Sequence, residues 1–158
     1  MLNLVQVTLL KEIESAKDLN QKTMPHNIIA EQLMLGALLI NNEEINKISD
    51  FLASSHFYMP IHQKIFLAIQ SYFERGIIAT PVTLKNYFDN EQELQALGGI
   101  TYLAKLTNLA TTIVNVLDHG KIIYDLYIRR KLIELGQDVV SEAFKENLEI
   151  TPSNQIEQ

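Results

Sequence analysis

The sequence predicts an all-α fold, a compact multi-helix head followed by one long helix, on three observations. Apolar residues recur at three- and four-residue spacing in one segment after another. No segment alternates apolar and polar residues well enough to read as a strand, since Ile77-Ile78 and Thr111 to Val116 are too short or lack turn chemistry. Near the C-terminus, one apolar pattern persists for about 30 residues, over twice an average helix.

Bulk properties narrow the function classes. At 158 residues, of which 47% are hydrophobic and 20% charged, the chain suits one folded domain with a tail. Thirteen basic against nineteen acidic residues give a net charge of -6, the wrong sign for general attraction to a phosphate backbone. The absence of cysteine excludes disulfides and thiolate metal sites and is compatible with a reducing compartment, so a cytoplasmic location is expected. The apolar run Met1 to Leu10 lacks the basic flank and small-residue cleavage site of a signal peptide. No stretch approaches the roughly 20 apolar residues needed to span a bilayer, so no membrane partner is expected.

Residues 1–24 mix short apolar runs with Lys11, Glu12, Glu14, Lys17 and Asp18 and are expected to be a tail, either a loose amphipathic helix or mobile. The head is expected over 25–112. Its first helix runs from Ala30 to Ile40, with Ala30, Leu33, Met34, Ala37 and Leu38 on one face, and Asn41-Asn42 ends it. Gly36 inside it costs roughly 1 kcal/mol of helix propensity, which points to close backbone approach by another helix. A short second helix is expected behind Asn41 or Asn42, with Ile45, Ile48 and Leu52 on one face.

A third helix runs from about Ile61 to Glu74 on the stripe Ile61, Ile65, Ile69, Tyr72 and Phe73, stopped by Gly76. Thr80-Pro81 starts the next, because threonine caps a free amide and proline fits the first turn; Val82, Leu84, Tyr87 and Phe88 follow. Gly98-Gly99 reads as a turn needing positive φ, and Tyr102, Leu103, Leu106 and Leu109 or Ala110 give a further helix.

The last region, 113–158, is expected to hold a long helix from about Asn115 to Lys145 with two apolar stripes. One is Leu117, Tyr124, Ile128, Leu132, Leu135 and Val139; the other is Ile122, Leu126, Ile133, Val140 and Phe144. Two apolar faces require two neighbours, one from the same domain and one from elsewhere. Gly120 and Gly136 each weaken the helix by about 1 kcal/mol, which packing must offset. Thr151-Pro152 and the residues after it look like the start of another helix, so the expectation is the first arm of a helical hairpin and the beginning of a truncated second arm.

Catalytic signatures are missing. No G-x-x-x-x-G-K-[ST] phosphate loop, H-E-x-x-H zinc motif or G-x-S-x-G nucleophile elbow occurs. His62 reads as a hydrogen-bonded core or boundary residue rather than an acid-base group. Glu43-Glu44 and Glu91 to Glu93 read as solvated faces. Arg129-Arg130-Lys131 fans around its helix and reads as solvated or as an interface salt bridge rather than a phosphate stripe. Tyr102 is read either as core or as presenting its hydroxyl to a partner.

Residues 24–146 nevertheless resemble a known family along nearly their whole length. The resemblance runs through Pro25-His26-Asn27-Ile28-Ile29-Ala30-Glu31-Gln32, Leu35-Gly36-Ala37-Leu38-Leu39, Phe57-Tyr58 with His62, Ile65 and Phe66, and Gly76 with Val82-Thr83-Leu84. It continues through Gly98-Gly99-Ile100-Thr101-Tyr102-Leu103-Ala104-Lys105-Leu106, Asn115, and Tyr127-Ile128-Arg129-Arg130-Lys131-Leu132-Ile133. In order and spacing these segments resemble the N-terminal domain of DnaB-type bacterial replicative DNA helicases. The chain departs from the family's usual pattern at Ile29, at Thr80-Pro81 and at Thr111-Thr112-Ile113-Val114.

The resemblance implies a collar domain that pairs with itself within a hexamer and docks a DnaG-type primase, with a helicase loader as a further partner. It implies no ATPase activity, cofactor or metal in this fragment; ATP, magnesium and DNA would be bound by a C-terminal motor domain. The self-association or primase surface is expected at Tyr102, Tyr124, Ile128, Arg129, Arg130, Leu132, Ile133, Val139 and Val140. The competing reading is a free-standing helical adaptor or dimerisation module. A DNA-binding domain and a small helical enzyme rank below it.

Overall fold

A computed structural model of the protein describes residues 3–11 and 23–145. Among the described residues every regular element is helical. The first, α1, spans 4–11 and is started by its own sequence: the Asn3 N–H donates to Gln6 Oε1 at 3.1 Å and the Gln6 N–H to Asn3 Oδ1 at 2.8 Å. These reciprocal bonds satisfy two amides that a helix N-terminus leaves free. The rest of the expected tail from 12 to 22, and the helix start expected at Thr151-Pro152, lie outside the described residues.

The helix α2 spans Ile28–Ile40, two residues earlier than its apolar pattern suggests, because Asn27 accepts the Ala30 amide at 2.9 Å and caps it. It buries Ala30, Met34, Leu35, Leu38 and Leu39, and the head is built around it. Asn41 then starts a 3-10 helix, Asn42–Lys47, where the sequence suggested a second α-helix. Asn42 anchors its first turn. Its side-chain amide donates to the carbonyls of Leu38 and Ala79, and its oxygen accepts from the Ala79 amide, pinning the chain to a loop 37 residues away. Ile45, Ile48 and Leu52 are buried as their spacing implied.

After a 3-10 turn at Ser54–His56, the helix α3 runs Pro60–Glu74 and buries Ile61, His62, Ile65, Phe66, Ala68 and Ile69. Gly76, at φ 70°, turns the chain out of it. Thr80 and Thr83 cap one another reciprocally at the head of α4, Pro81–Lys85, which passes into a 3-10 turn at Asn86–Phe88.

The sequence reading missed α5, Gln92–Ala96. Glu91 and Glu93, expected on a solvated face, remain partly exposed and pair with Lys64 of α3 at 2.8 and 3.3 Å, and Leu94, next after Glu93, is buried. The Glu91 and Glu93 carboxylates hold the Lys64 ammonium above its ordinary pKa. Gly98 and Gly99, both at positive φ, make the turn into α6, Ile100–Leu109. The Leu106 carbonyl of α6 passes so close to Gly36 that no side chain fits between them.

The long helix α7 spans Val116–Phe144, capped by Asn115, whose side chain accepts the Asp118 amide at 3.1 Å. It meets the head mainly along a line outside both expected stripes, with half-buried Tyr124 of the first stripe packed beside it. The buried face is Val116, Gly120, Ile123 and Arg130, with half-buried Tyr127 on the same line. A Cβ on Gly120 would lie 2.9 Å from an Ile48 methyl and 3.2 Å from the Phe51 ring, so glycine there allows the helix to settle on the head.

Candidate protein-interaction site

Two arrangements of polar and apolar groups stand out, one sealed inside the head and one exposed on α7. The sealed one begins with α3, which has no side-chain cap of its own. Glu31 reaches across from α2, and its carboxylate accepts the backbone N–H groups of Tyr58 and Met59, placing negative charge at the N-terminus of α3. It also lies 2.6 Å from His62 Nδ1, while His62 Nε2 lies 2.6 Å from the Tyr102 hydroxyl, itself contacted by the Gln32 amide at 3.4 Å. A proton on His62 Nδ1, donated to Glu31, leaves Nε2 to accept from Tyr102, and every group is then satisfied.

Glu31, His62 and Tyr102 are nearly inaccessible to solvent, and burial raises the Tyr102 hydroxyl above the usual tyrosine range. The carboxylate–imidazole–hydroxyl sequence resembles catalytic apparatus, but it is closed off from solvent. It ties α2, α3 and α6 together. Tyr102, expected among the partner-facing residues, therefore turns its hydroxyl inward, because His62 supplies a buried acceptor. The expectation for His62 as a hydrogen-bonded core residue agrees with its place here.

Arg130 also departs from the surface role expected of it. Only 8% exposed, it donates through Nη1 to the Pro25 carbonyl at 2.8 Å and through Nη2 to the His56 carbonyl at 2.7 Å. Its guanidinium lies 5.6 Å from the centre of the Tyr58 ring, which stacks on His26 at 4.1 Å. Arg129, one step round the helix, is exposed. Lys131 pairs with Glu134 at 2.7 Å, which raises its pKa. Three consecutive basic residues thus have three different surroundings.

Sequence reasoning passed over His56. Its ring lies 4.3 Å from that of Tyr127 and 5.2 Å from that of Tyr124, and its Nδ1 accepts the Ala53 amide at 3.0 Å. Burial, and then the nearby Arg130 charge, lower its pKa. Tyr124 is half-buried in this aromatic group, so among the expected site residues it belongs partly to the head.

The exposed arrangement begins one residue later. Every residue from Lys131 to Ser141 is exposed, including Leu132, Ile133, Leu135, Val139 and Val140, and Phe144 beyond them is 82% exposed. In this half the two stripes merge into one broad apolar face. Leu132, Gly136, Val139 and Ala143 follow at helical spacing along its middle, Leu135 lies on one side, and Ile133 and Val140 lie on the other. The line that faced the head carries Glu134, Asp138 and Ser141 here, so the helix has no apolar reason to continue along it. A Cβ on Gly136 would meet nothing within 4 Å.

Ile128, 37% exposed, joins this face from its inner end. Leu132, Ile133, Val139, Val140, Ile128 and Arg129 are thus the expected site residues that share the open surface. Among the described residues no group of three or more histidines and carboxylates is placed to hold a metal ion, and no helix is long and apolar enough to cross a membrane.

Residues 23–125 match the family described as DnaB-like helicase N terminal domain. The replicative DNA helicase DnaB of Rickettsia felis is 47% identical over 136 residues, covering 86% of this chain and 28% of that protein. The Treponema pallidum helicase of the same name is 30% identical over 132 residues, covering 84% of this chain and 30% of its own. The chain therefore spans less than a third of the length of these relatives. The crystal structure of the N-terminal domain of DnaB helicase from Mycobacterium tuberculosis superposes with a TM-score of 0.77 at 27% identity, covering 85% of this chain and 94% of that one.

Proposed function

The chain belongs to the DnaB-like helicase N-terminal domain family, and from that premise we propose that it is the interaction module of a replicative helicase. In this reading it pairs with a second copy through the outer half of α7, the pairs assemble into a hexameric collar, and the collar offers a docking surface to a DnaG-type primase. A helicase loader is a further partner of the assembled protein. ATP and magnesium belong to the motor of the full-length helicase, since the sequence here carries no phosphate-binding loop.

One observation carries the reading: α7 continues for fourteen residues beyond its last buried head contact, Arg130, and presents an apolar face along that length. Contiguous apolar surface of this kind on a water-soluble helix marks an interface. Gly136 at the middle of the face lowers helix propensity by about 1 kcal/mol with no neighbour in its own chain to account for it. A partner helix seated against that glycine accounts for it.

The test is light scattering on the 158-residue chain across a range of concentrations, together with a primase pull-down. The wild type should rise from 18.0 kDa toward twice that mass. Ile133→Glu should stay at the lower mass and lose primase while keeping its helicity. Pairing and primase capture equal to wild type in that variant would overturn the assignment.

A further inference from the structure

We propose that Arg130 is a positioning residue for the interaction surface. By clamping α7 to the carbonyls of Pro25 and His56, it sets the direction in which residues 131–144 leave the head, and governs partner engagement without touching the partner. The idea rests on the proposed interaction role of that outer half, and deepens it.

The clamp stands at the boundary between two regimes. Before it, α7 lies on the head through Val116, Gly120 and Ile123; after it, no residue is buried up to Lys145. The two carbonyls it binds come from two separate segments of the head. Pro25 precedes α2, and His56 ends the 3-10 turn before α3. A helix tied at one point can swing about that point, whereas two ties to separate segments fix its direction.

Arginine suits this work. Its planar fork presents donors at fixed angles, so one side chain meets two carbonyls that a lysine ammonium on a flexible stem would not hold in one geometry. Among the described residues no carboxylate lies within ion-pairing distance of Arg130 to pull the fork elsewhere. The Tyr58 face lies against the guanidinium, and the Tyr127 ring one turn back lines the same junction.

Leverage makes the direction matter. Fourteen residues of helix extend about 21 Å, so a swing of roughly 10° at the clamp moves the tip by about 4 Å. Helix seams pack with axes about 8–10 Å apart, and a displacement of that size separates the side chains that must interlock.

The chain has no cysteine, so nitroxide labels introduced through Lys105→Cys and Ser141→Cys, both exposed positions, are unique. Pulsed electron resonance on labelled chain diluted with unlabelled chain reads the distance from α6 to the outer part of α7 within one molecule. With Arg130 intact a single narrow distance is expected. Arg130→Met, which keeps bulk and removes the donors, should broaden the distribution or shift it by several ångström, and weaken pairing by about tenfold or more. Where Arg130→Met fails to fold, Arg130→Lys is read instead and should broaden the distribution in a folded head. An unchanged distribution in a folded variant overturns the proposal, and weaker pairing alongside it would place Arg130 at the partner surface instead. A wild-type chain that neither pairs nor binds primase would defeat the interaction role, while the distance measurement would still report on the clamp.

Discussion

The Leu106 carbonyl oxygen of α6 lies 2.0 Å from where a Cβ on Gly36 of α2 would stand. The obstacle is backbone, which cannot rotate out of the way as a side-chain tip can. Gly36→Ala is therefore expected to destabilise the head by about 1–3 kcal/mol or more, despite alanine's better helix propensity. A lower urea midpoint at unchanged slope would show it, and a neutral or stabilising outcome would rule out backbone contact between α2 and α6 at Gly36.

The inward turn of Tyr102 makes a second prediction. Tyr102→Phe removes the hydroxyl that meets His62 Nε2 and the Gln32 amide, leaving a buried nitrogen without its partner at a cost of about 1–3 kcal/mol. Partner binding by the folded variant should match wild type. Loss of primase or of pairing at unchanged stability would instead put that hydroxyl at an interface.

Gly136 should respond in the opposite sense to Gly36. With nothing within 4 Å of an added Cβ, Gly136→Ala is expected to stabilise the isolated α7 by up to about 1 kcal/mol while weakening self-association. Melting temperature at low concentration and light scattering at high concentration would separate the two effects. A variant that pairs more tightly than wild type would remove Gly136 from the seam.

His56 gives the junction of α7 with the head a pH dependence. Burial and the Arg130 charge lower its pKa in the folded state, so below the ordinary value of 6.5 the unfolded chain binds more protons than the folded one. Its contribution to stability is complete above that value and is lost as pH falls through the lowered folded value. Protonated Nδ1 also ceases to accept the Ala53 amide. In thermal melts between about pH 8 and about pH 5, the stability advantage of wild type over His56→Phe should shrink with acidity. A constant or widening gap would contradict the assignment.

Much of this architecture is legible in the residues alone, where local rules decide it. Apolar spacing gives α2, α3, α6 and α7, Thr80-Pro81 gives the start of α4, and Gly98-Gly99 and Gly36 announce their turn and their close approach. The misses share a physical cause. The five-residue α5 buries Leu94 alone, too little for a periodic signal, and the carboxylates beside that residue pair with Lys64 of another helix. Arg130 is buried through the carbonyls of residues 105 and 74 positions away, and a carbonyl, present at every residue, leaves no mark in a sequence. One further signal lies in the sequence: the line Val116, Gly120, Ile123 and Tyr127 turns polar at Glu134 and Asp138, which marks where α7 parts from the head.

That parting divides the demands on the chain. No side chain from Lys131 to Ser141 is buried, so substitutions there leave the head's core untouched, whereas substitutions at Gly36 or His62 test the core itself. Inheritance can therefore act on the two regions at different tempos. Under the proposed interaction role, a lineage is free to exchange one partner for another by revising a single helical face, with little risk of misfolding along the way.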